Sequence, residues 1–430
     1  MLKTLALVSI GSDKNGIFHE IDHCRICGNT QLVPILHLGI QYLTGVFPRN
    51  PSHPLTCGPL ELVKCHGDES CGLVQLHHSY ESREMYGDNY GYRSSLNQSM
   101  VQHLGAKVQS LLARIPLRNS DVVLDIGSND GTLLSFYPSK LSRIGMDPTA
   151  ARFREFYKPG IETITDFFSS EKFLNHVGGR KAKIITSIAM FYDLDEPISF
   201  VKQVASALDD DGIWHFEQSY LPEMLRQNAY DTICHEHFEY YGLRQVKWML
   251  DRCGLKIIDI QRNDINGGSF AVSASKAGAP YYEDKTAVDS IINLEIEDGL
   301  DTLSPYQDFK RRVFEHRDKL LNLLDMLSAK SAKILGYGAS TKGNVILQFC
   351  GLNPDRIPFM AEVNTAKFGS FTPGTSIPII SEADAHAMRP DYFLVMPWHF
   401  RNNLLQREAP FLARGGRMIF PLPEIEIVGR

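Results

Sequence analysis

The chain has 430 residues, 43% hydrophobic and 22% charged, and 44 Lys+Arg against 50 Asp+Glu leave a net charge of −6. This length predicts two or three domains, since single hydrophobic cores stop growing near ~250 to 300 residues, and the weakly acidic balance offers no electrostatic footprint for nucleic acid or anionic lipid. No uncharged run reaches the ~18 apolar residues of a membrane span, and the short apolar start lacks a small-residue cleavage site before its polar stretch, so a cytoplasmic protein is expected.

Five of the eight cysteines, Cys24, Cys27, Cys57, Cys65 and Cys71, crowd the N-terminal segment. In a reducing compartment such a cluster suggests metal before disulfides. Cys24-Arg25-Ile26-Cys27-Gly28 is a C-x-x-C knuckle, the turn that presents two thiolates to one tetrahedral zinc. Cys65 and Cys71 supply a second pair at a longer step than usual, which leaves His66 or Cys57 open as a substitute ligand. Four thiolates leave the ion no open position, so its role is structural in a segment with little core of its own.

The stretch Met85 to Ser95 interleaves tyrosines, among them Tyr90 and Tyr92, with turn residues, a composition also common in plain loop packing. Leu104 to Ile115 has the periodicity of an amphipathic helix. Val122 to Leu134, VVLDIGSNDGTLL, then predicts strand, tight turn and helix. Glycine lets backbone approach a ligand closely, and a helix N-terminus offers unpaired N–H groups to it. Asp125, Gly127, Ser128, Asn129 and Gly131 are the candidate contacts. The D-x-G-x-x-x-G spacing is neither the dinucleotide G-x-G-x-x-G nor a phosphate loop, and a Gly-bracketed turn after a strand also occurs without any ligand. It resembles motif I of the class I S-adenosylmethionine methyltransferases. Arg143 to Pro148 reads as a second strand ending in Asp147, where doubly wound folds place the carboxylate that holds ribose hydroxyls. Ile161 to Phe168 ends in Asp166 and Phe167, where such methyltransferases hold adenine by a polar contact and an aromatic wall. Lys183 to Ser187 is a fourth strand, with Ser187 to Tyr192 at the carboxyl end that faces ligands in open α/β sheets.

The strand Gly212 to Glu217 leads to the densest cluster, Tyr230 to Tyr241, in which His235 and His237 flank Glu236. Three readings compete. Metal binding is disfavoured because the helical zinc-protease pattern spaces its histidines four apart. Core filling would bury groups seldom buried unpaired. A base beside its orienting acid fits better. Leu255 to Ile260 alternates as a strand, and Asn266-Gly267-Gly268-Ser269 before Phe270 to Ala274 is either a hairpin turn or a close backbone approach to substrate.

Ala279 to Leu303 reads as a charged, aperiodic boundary, and Tyr306 to Ser328 as a long helix. Ala332 to Asn344 is a second strand, Gly-rich loop and helix, with Ser340, Thr341 and Lys342 suited to phosphate oxygens, though its Lys is not placed as in a Walker loop. Asn364 follows the strand Phe359 to Ala361, while His399 and Arg401 end the strand at Phe393; these strand ends are expected to converge on one edge. The expected domains are 1–80, 81–278 and 279–430.

Cys24-x-x-Cys27, LDIGSNDGTLL, Met190 to Leu194, Glu217-Gln218-Ser219-Tyr220, His235-Glu236-His237 with Tyr240-Tyr241, Asn266-Gly267-Gly268-Ser269 and Gly336-x-Gly338-Ala339-x-x-Lys342-Gly343 together resemble the nucleotide-sugar C-methyltransferases, which include 3-C-methyltransferases of deoxysugars. The resemblance implies an α/β enzyme with a small N-terminal zinc-binding domain, a central class I methyltransferase domain and a second Rossmann-like C-terminal domain. It implies S-adenosylmethionine and a structural zinc as cofactors, and a nucleotide-linked keto-deoxysugar as substrate. Neither nucleic acid nor membrane is an expected partner, and the chain is expected to be a monomer or weak homo-oligomer. Carried over, His237 is the base and Glu236 its neighbour, with Tyr90 or Tyr92 lining the sugar pocket; Tyr192, Asn266, Lys342, Asn364, His399 and Arg401 are further substrate candidates. Cys234 stands where some members have Tyr, and the step from Cys65 to Cys71 exceeds the family's usual C-x-x-C.

The chemistry follows independently. Carbon methylation needs a carbanion equivalent, and a sugar carbon beside a 4-keto group becomes an enolate when a base removes its α-proton. Imidazole with an unperturbed pKa of ~6.5 suits that step near neutrality, and donors such as His235, a Tyr or backbone N–H groups would stabilise the oxyanion. A methyltransferase acting on RNA or protein and a non-catalytic sugar-nucleotide binder are the competing classes.

Overall fold

The computed structural model describes residues 18–81, 85–86 and 92–429. Its centre is a seven-stranded sheet. Val122–Ile126, Ser142–Met146, Ile161–Ile164, Ala182–Ile188 and Leu208–Ser219 run parallel in the doubly wound order 3-2-1-4-5. Val122–Ile126 is buried along its whole length, as a parallel strand covered on both faces must be, so it reads as an apolar run rather than an alternation. The hairpin Leu255–Asn263 and Ser269–Lys276 completes the edge, its second strand inserted antiparallel beside Leu208–Ser219.

The helix expected after the Gly127 loop is corrected by the structure. Residues 128–141 form turns and one short 3-10 segment, Leu134–Phe136. Asn129 and Gly131 take left-handed backbone angles (φ +50° and +74°), and Pro138 withholds an amide donor a few residues later, so too little chain is left to nucleate an α-helix. The preceding helix, Gln98–Arg114, starts earlier than its apolar stripe because Asn97 caps it, accepting from the Ser99 amide.

Leu32–Tyr42, Cys57–Cys65 and Val74–Leu76 form an antiparallel sheet whose fourth strand, Glu239–Tyr240, comes from the segment immediately after His235-Glu236-His237. Phe18–Glu20 pairs with His78–Tyr80 beside it. The C-terminal sheet repeats the central winding: Ile334–Tyr337, Met360–Glu362, Ile379–Ser381, Tyr392–Val395 and Arg417–Phe420 are parallel in order 3-2-1-4-5, with Glu426–Val428 antiparallel at the edge. Its switch point lies between Ile334–Tyr337 and Tyr392–Val395, the position at which open α/β sheets bind ligands.

The helix Ser304–Ala329 buries Tyr306, Phe309, Val313, His316, Leu320, Leu324 and Leu327 at three- and four-residue steps, as its sequence period predicts. The supposedly aperiodic stretch before it holds a further helix, Lys285–Glu297, which buries only Val288 and Glu295 and so shows little apolar stripe. Glu295 is held by its role as a cap: its carboxylate accepts the amides of Leu243 (2.5 Å) and Arg244 (3.1 Å) at the start of Leu243–Arg252, and the Tyr220 hydroxyl (2.9 Å). One hydrophobic core continues from the N-terminal sheet through Ile233, Cys234 and Phe238 into the C-terminal sheet. The segment carrying the two histidines is therefore packed by all three parts of the molecule. Among the described residues no helix is long and apolar enough to cross a membrane.

Candidate active site and zinc centre

Cys24 Sγ lies 3.5 Å from Cys71 Sγ, and Cys27 Sγ 3.4 Å from Cys65 Sγ. All four sulfurs fall within 4.8 Å of one another. Thiolates ~2.3 Å from a tetrahedral zinc stand about 3.8 Å apart, so the set fits the ion, and neither His66 nor Cys57 belongs to it. The knuckle closes where the Gly28 amide donates to the Cys24 carbonyl at 2.9 Å, with Gly28 at φ +73°. Arg25, overlooked in the sequence, donates from inside the knuckle to the Leu76 carbonyl (2.7 Å), Ser79 Oγ (2.7 Å) and Asp195 Oδ1 (3.2 Å), and stands 3.8 Å from buried Glu239. Its planar fork links the zinc knuckle to the central domain.

The motif I loop curls over the end of its strand. Gly127 (φ +71°) leaves room for Met190, and at Gly131 (φ +74°) a Cβ would come 2.6 Å from Tyr157. Ser128 Oγ bonds the Tyr157 hydroxyl at 2.7 Å. Asp147 Oδ2 accepts the Asn129 amide at 2.8 Å, while its Oδ1 accepts the Thr149 amide at 2.6 Å and the Thr149 hydroxyl at 2.5 Å. A carboxylate has about four acceptor positions, so Asp147 fixes the loop and keeps capacity for one ribose hydroxyl. The glycine-lined loop and this carboxylate fit the S-adenosylmethionine that such a fold binds. Asp125 turns into the sheet, accepting from Thr186 Oγ1 at 2.6 Å, and burial pushes its carboxyl up to about 7. Ser187 likewise faces inward, accepting from Trp214 Nε1 at 2.9 Å. Asp166 pairs with Lys172, and Phe167 is 41% exposed at the rim.

His237 lies at the meeting of the central and C-terminal domains. Its Nδ1 donates to the Thr232 carbonyl at 2.8 Å, which leaves Nε2 as the nitrogen with a free lone pair. The Tyr192 ring stands edge-on to the imidazole at 4.3 Å between centroids. Burial and the nearby Lys342 ammonium depress the His237 pKa to about 3. This corrects the expectation of an unperturbed ring: His237 is neutral at physiological pH. Lys342 comes from the start of Thr341–Phe349, capped by Ser340 Oγ, and donates to the Asn266 carbonyl at 3.0 Å. His399, from the neighbouring strand end, is pushed down to about 3 by burial and by the same lysine. Trp398 Nε1 donates to buried Asp231 Oδ2 at 2.7 Å. Asn266 (φ +55°), Gly267 and Gly268 form the hairpin turn, and Gly267 packs on Trp398. His237, Lys342, His399, Asn266 and Tyr192 thus converge from two domains.

The other candidates fall elsewhere. His235 is fully buried against the N-terminal sheet, with Nε2 3.4 Å from the Gly58 carbonyl and its ring edge-on to Tyr80 at 4.7 Å. Glu236 accepts from Thr44 Oγ1 at 3.1 Å and presses on Gly45, where a Cβ would be 2.7 Å from its Oε1, and burial raises its pKa. The expected orientation of His237 by Glu236 is replaced by the Thr232 carbonyl, because His235 and Glu236 form a turn, closed where the His237 amide donates to the Cys234 carbonyl at 3.1 Å, and their side chains leave it toward the N-terminal segment. Asn364 caps its own turn through the Ala366 amide. Arg401 is drawn to the surface by Glu426 at 2.7 and 2.8 Å. Tyr92 is 47% exposed, its carbonyl bonded by Asn129 Nδ2; Tyr90 lies outside the described residues. Glu217 received no role from the sequence, yet it accepts from His103 Nε2, Lys107 Nζ and Asn263 Nδ2, each at 2.6 Å, which hold its carboxyl near 2. The i, i+4 step between His103 and Lys107 was the available signal. Glu362 was also missed: it accepts the amides of Ala339, Val363 and Asn364 at 2.8 to 2.9 Å, as Asp147 does in the central domain.

These features define an S-adenosylmethionine-dependent methyltransferase built on a class I fold with a zinc-binding N-terminal domain. Family models agree along the length: a zinc binding domain at residues 24–86, a methyltransferase domain at 100–260 and a C-methyltransferase C-terminal domain at 264–423. The C-methyltransferase NovU of Streptomyces niveus is 31% identical over 417 residues, which are 96% of this chain and 98% of that protein. The chain belongs to the C-methyltransferase family. Among solved structures, an O-methyltransferase family protein from Burkholderia thailandensis matches 42% of this chain and 56% of its own at 15% identity and a TM-score of 0.33. An S-adenosylmethionine-dependent methyltransferase from Clostridium acetobutylicum ATCC 824 matches 41% and 92% at 12% identity and a TM-score of 0.31.

Proposed function

We propose that this C-methyltransferase acts on a nucleotide-linked 4-keto-deoxysugar and methylates the carbon next to the ketone, C3. The observation that carries the reading is a buried, neutral His237 whose Nδ1 is committed to Thr232, leaving Nε2 to accept, and which lies near enough to the Lys342 ammonium of the other domain to feel its charge. S-adenosylmethionine supplies an electrophilic methyl group on a sulfonium. His237 Nε2 takes the α-proton and the C–H electron pair delocalises onto the keto oxygen, leaving a nucleophilic carbon that would take the donor's methyl group as the thioether leaves. Lys342 and the ring of His399 are the polar groups of the cleft suited to the developing oxyanion or to the diphosphate of the substrate. A base held near 3 is weak in the free enzyme; an anionic substrate beside Lys342 offsets that cation and raises the basicity of His237 when it is needed.

Asp147 and the Gly127–Gly131 loop hold the donor, with Phe167 at the adenine edge. His235, Asn364 and Arg401 are left out of the acting set, since His235 lies buried against Gly58 and Tyr80 of the N-terminal region and the other two bond the Ala366 amide and Glu426. Incubation with methyl-labelled S-adenosylmethionine and a panel of 4-keto-6-deoxy nucleotide sugars, with the methyl located by NMR, tests the reading. A new C–CH3 at C3 is the expected product. Transfer to tRNA or protein in place of the sugars overturns it.

A further inference from the structure

Away from the cleft and the four thiolates, three side chains of the N-terminal region bring ligand atoms within 4.8 Å of one another: Glu61, His77 and His78. Glu61 lies on Cys57–Cys65, His77 in the bend after Val74–Leu76, and His78 at the start of His78–Tyr80. The backbone fixes them, because the His77 amide donates to the Glu61 carbonyl at 2.9 Å and its carbonyl accepts the Ile21 amide at 2.9 Å. The His77 ring stands between two carboxylates, Nδ1 2.8 Å from Glu61 Oε2 and Nε2 3.3 Å from Glu20 Oε1. A neutral imidazole has one N–H and can satisfy only one of them. His78 is 5% exposed, and its Nδ1 is buried without a hydrogen-bond partner, an exception to the rule that buried polar atoms are paired.

We propose that Glu61, His77 and His78 hold a divalent first-row cation, best zinc, while Glu20 accepts from the Nε2–H of His77 and turns its Nδ1 toward the ion. Two imidazoles and one carboxylate form a zinc donor set with one position open, and a carboxylate behind a ligating imidazole is the usual device that fixes its tautomer. His37, the cross-strand neighbour of Glu61, marks the exposed rim. The ion would pin Phe18–Glu20 to the sheet whose Tyr80 packs on His235. The competing account, a doubly protonated His77 clamped by two carboxylates, needs no ion and leaves His78 unexplained.

The full chain, dialysed against dilute EDTA so that the thiolate-bound zinc stays, is titrated with ZnCl2 by calorimetry and, separately, with CoCl2 by absorption spectroscopy. One further equivalent is expected, giving weak cobalt d–d bands without thiolate charge transfer. His77→Ala, His78→Ala and Glu61→Gln should each lose that equivalent and keep the first; Glu20→Gln should weaken it ~10- to 100-fold. Glu61→Gln preserves shape, so it remains informative where an alanine variant fails to fold. Failure of the wild type to take up a second equivalent, or an undiminished second equivalent in the folded variants, overturns the proposal.

Discussion

Trp398 Nε1 donates to Asp231 Oδ2 at 2.7 Å, and this bond joins the C-terminal sheet to the segment that carries His237. Asp231 is fully buried and its other oxygen has no partner among the described residues, so the indole is its one side-chain donor there. Trp398→Phe keeps most of the ring's apolar volume but orphans the carboxylate. The expected loss is about 1 to 3 kcal/mol of stability, with a larger fall in turnover than in donor affinity because Lys342 and His399 ride on the same domain. Chemical denaturation and calorimetric titration with S-adenosylmethionine check both parts.

His237→Ala should lower turnover ~100-fold or more, the usual contribution of a positioned general base, while donor binding stays near normal. Deuterium exchange is the sharper measurement. Wild type without donor should exchange the substrate α-proton with solvent, and the variant should not. Methylation by the variant at the wild-type rate excludes His237 as the base.

Asp147→Ala removes the acceptor of the Asn129 and Thr149 amides as well as the expected ribose contact. Donor affinity should fall by about 1.5 to 3 kcal/mol, the range of hydrogen bonds to charged groups. Asp147→Asn, which retains one amide acceptor, should fall less. Equal, unchanged affinities in calorimetry would remove Asp147 from the donor site.

Cys24→Ser with Cys27→Ser should abolish the thiolate-bound zinc and destabilise the N-terminal sheet, because the ion supplies folding free energy to the segment that holds its four thiolates. Loss of activity should accompany it, since Arg25 between these cysteines bonds Leu76, Ser79 and Asp195. Zinc analysis with a circular-dichroism melt measures the first effect. Retained zinc in the double variant is the contrary result.

The buried histidines should cost stability as the pH drops below about 6.5, opposite in sign to buried Asp125, whose carboxyl burial pushes up to about 7. Burial lowers His215 to about 3 and His235 to about 4. Their folded values lie below the unfolded ~6.5, so the unfolded chain binds more protons in that window and each ring opposes folding as it acidifies. Over two pH units the cost is about 2 to 3 kcal/mol per ring. Thermal melts from pH 7 to 4.5 on wild type and on His215→Gln, which cannot charge, isolate the effect: the variant should lose less stability on acidification than wild type, and equal slopes would remove His215 from it.

The sequence alone determined the local chemistry. The apolar run before Asp125, the carboxylate at Asp147, the C-x-x-C knuckle and the apolar steps of Ser304–Ala329 are all short-range patterns, set by backbone periodicity and ligand spacing, and they carry the methyltransferase winding and the zinc. Tertiary structure decided which side chains share a site. His235, Glu236 and His237 are adjacent in sequence, yet the turn at His235-Glu236 sends His235 to Gly58 and Tyr80, Glu236 to Thr44, and His237 to Thr232 and the neighbourhood of Lys342. The strand pairing of Glu239–Tyr240 with Val74–Leu76 imposes that divergence. So does burial: it neutralises His237, which at the unperturbed pKa of a free imidazole would be partly charged. Apart from the bond to Thr232, these contacts join residues more than a hundred positions apart, and no local pattern encodes contacts made across that distance.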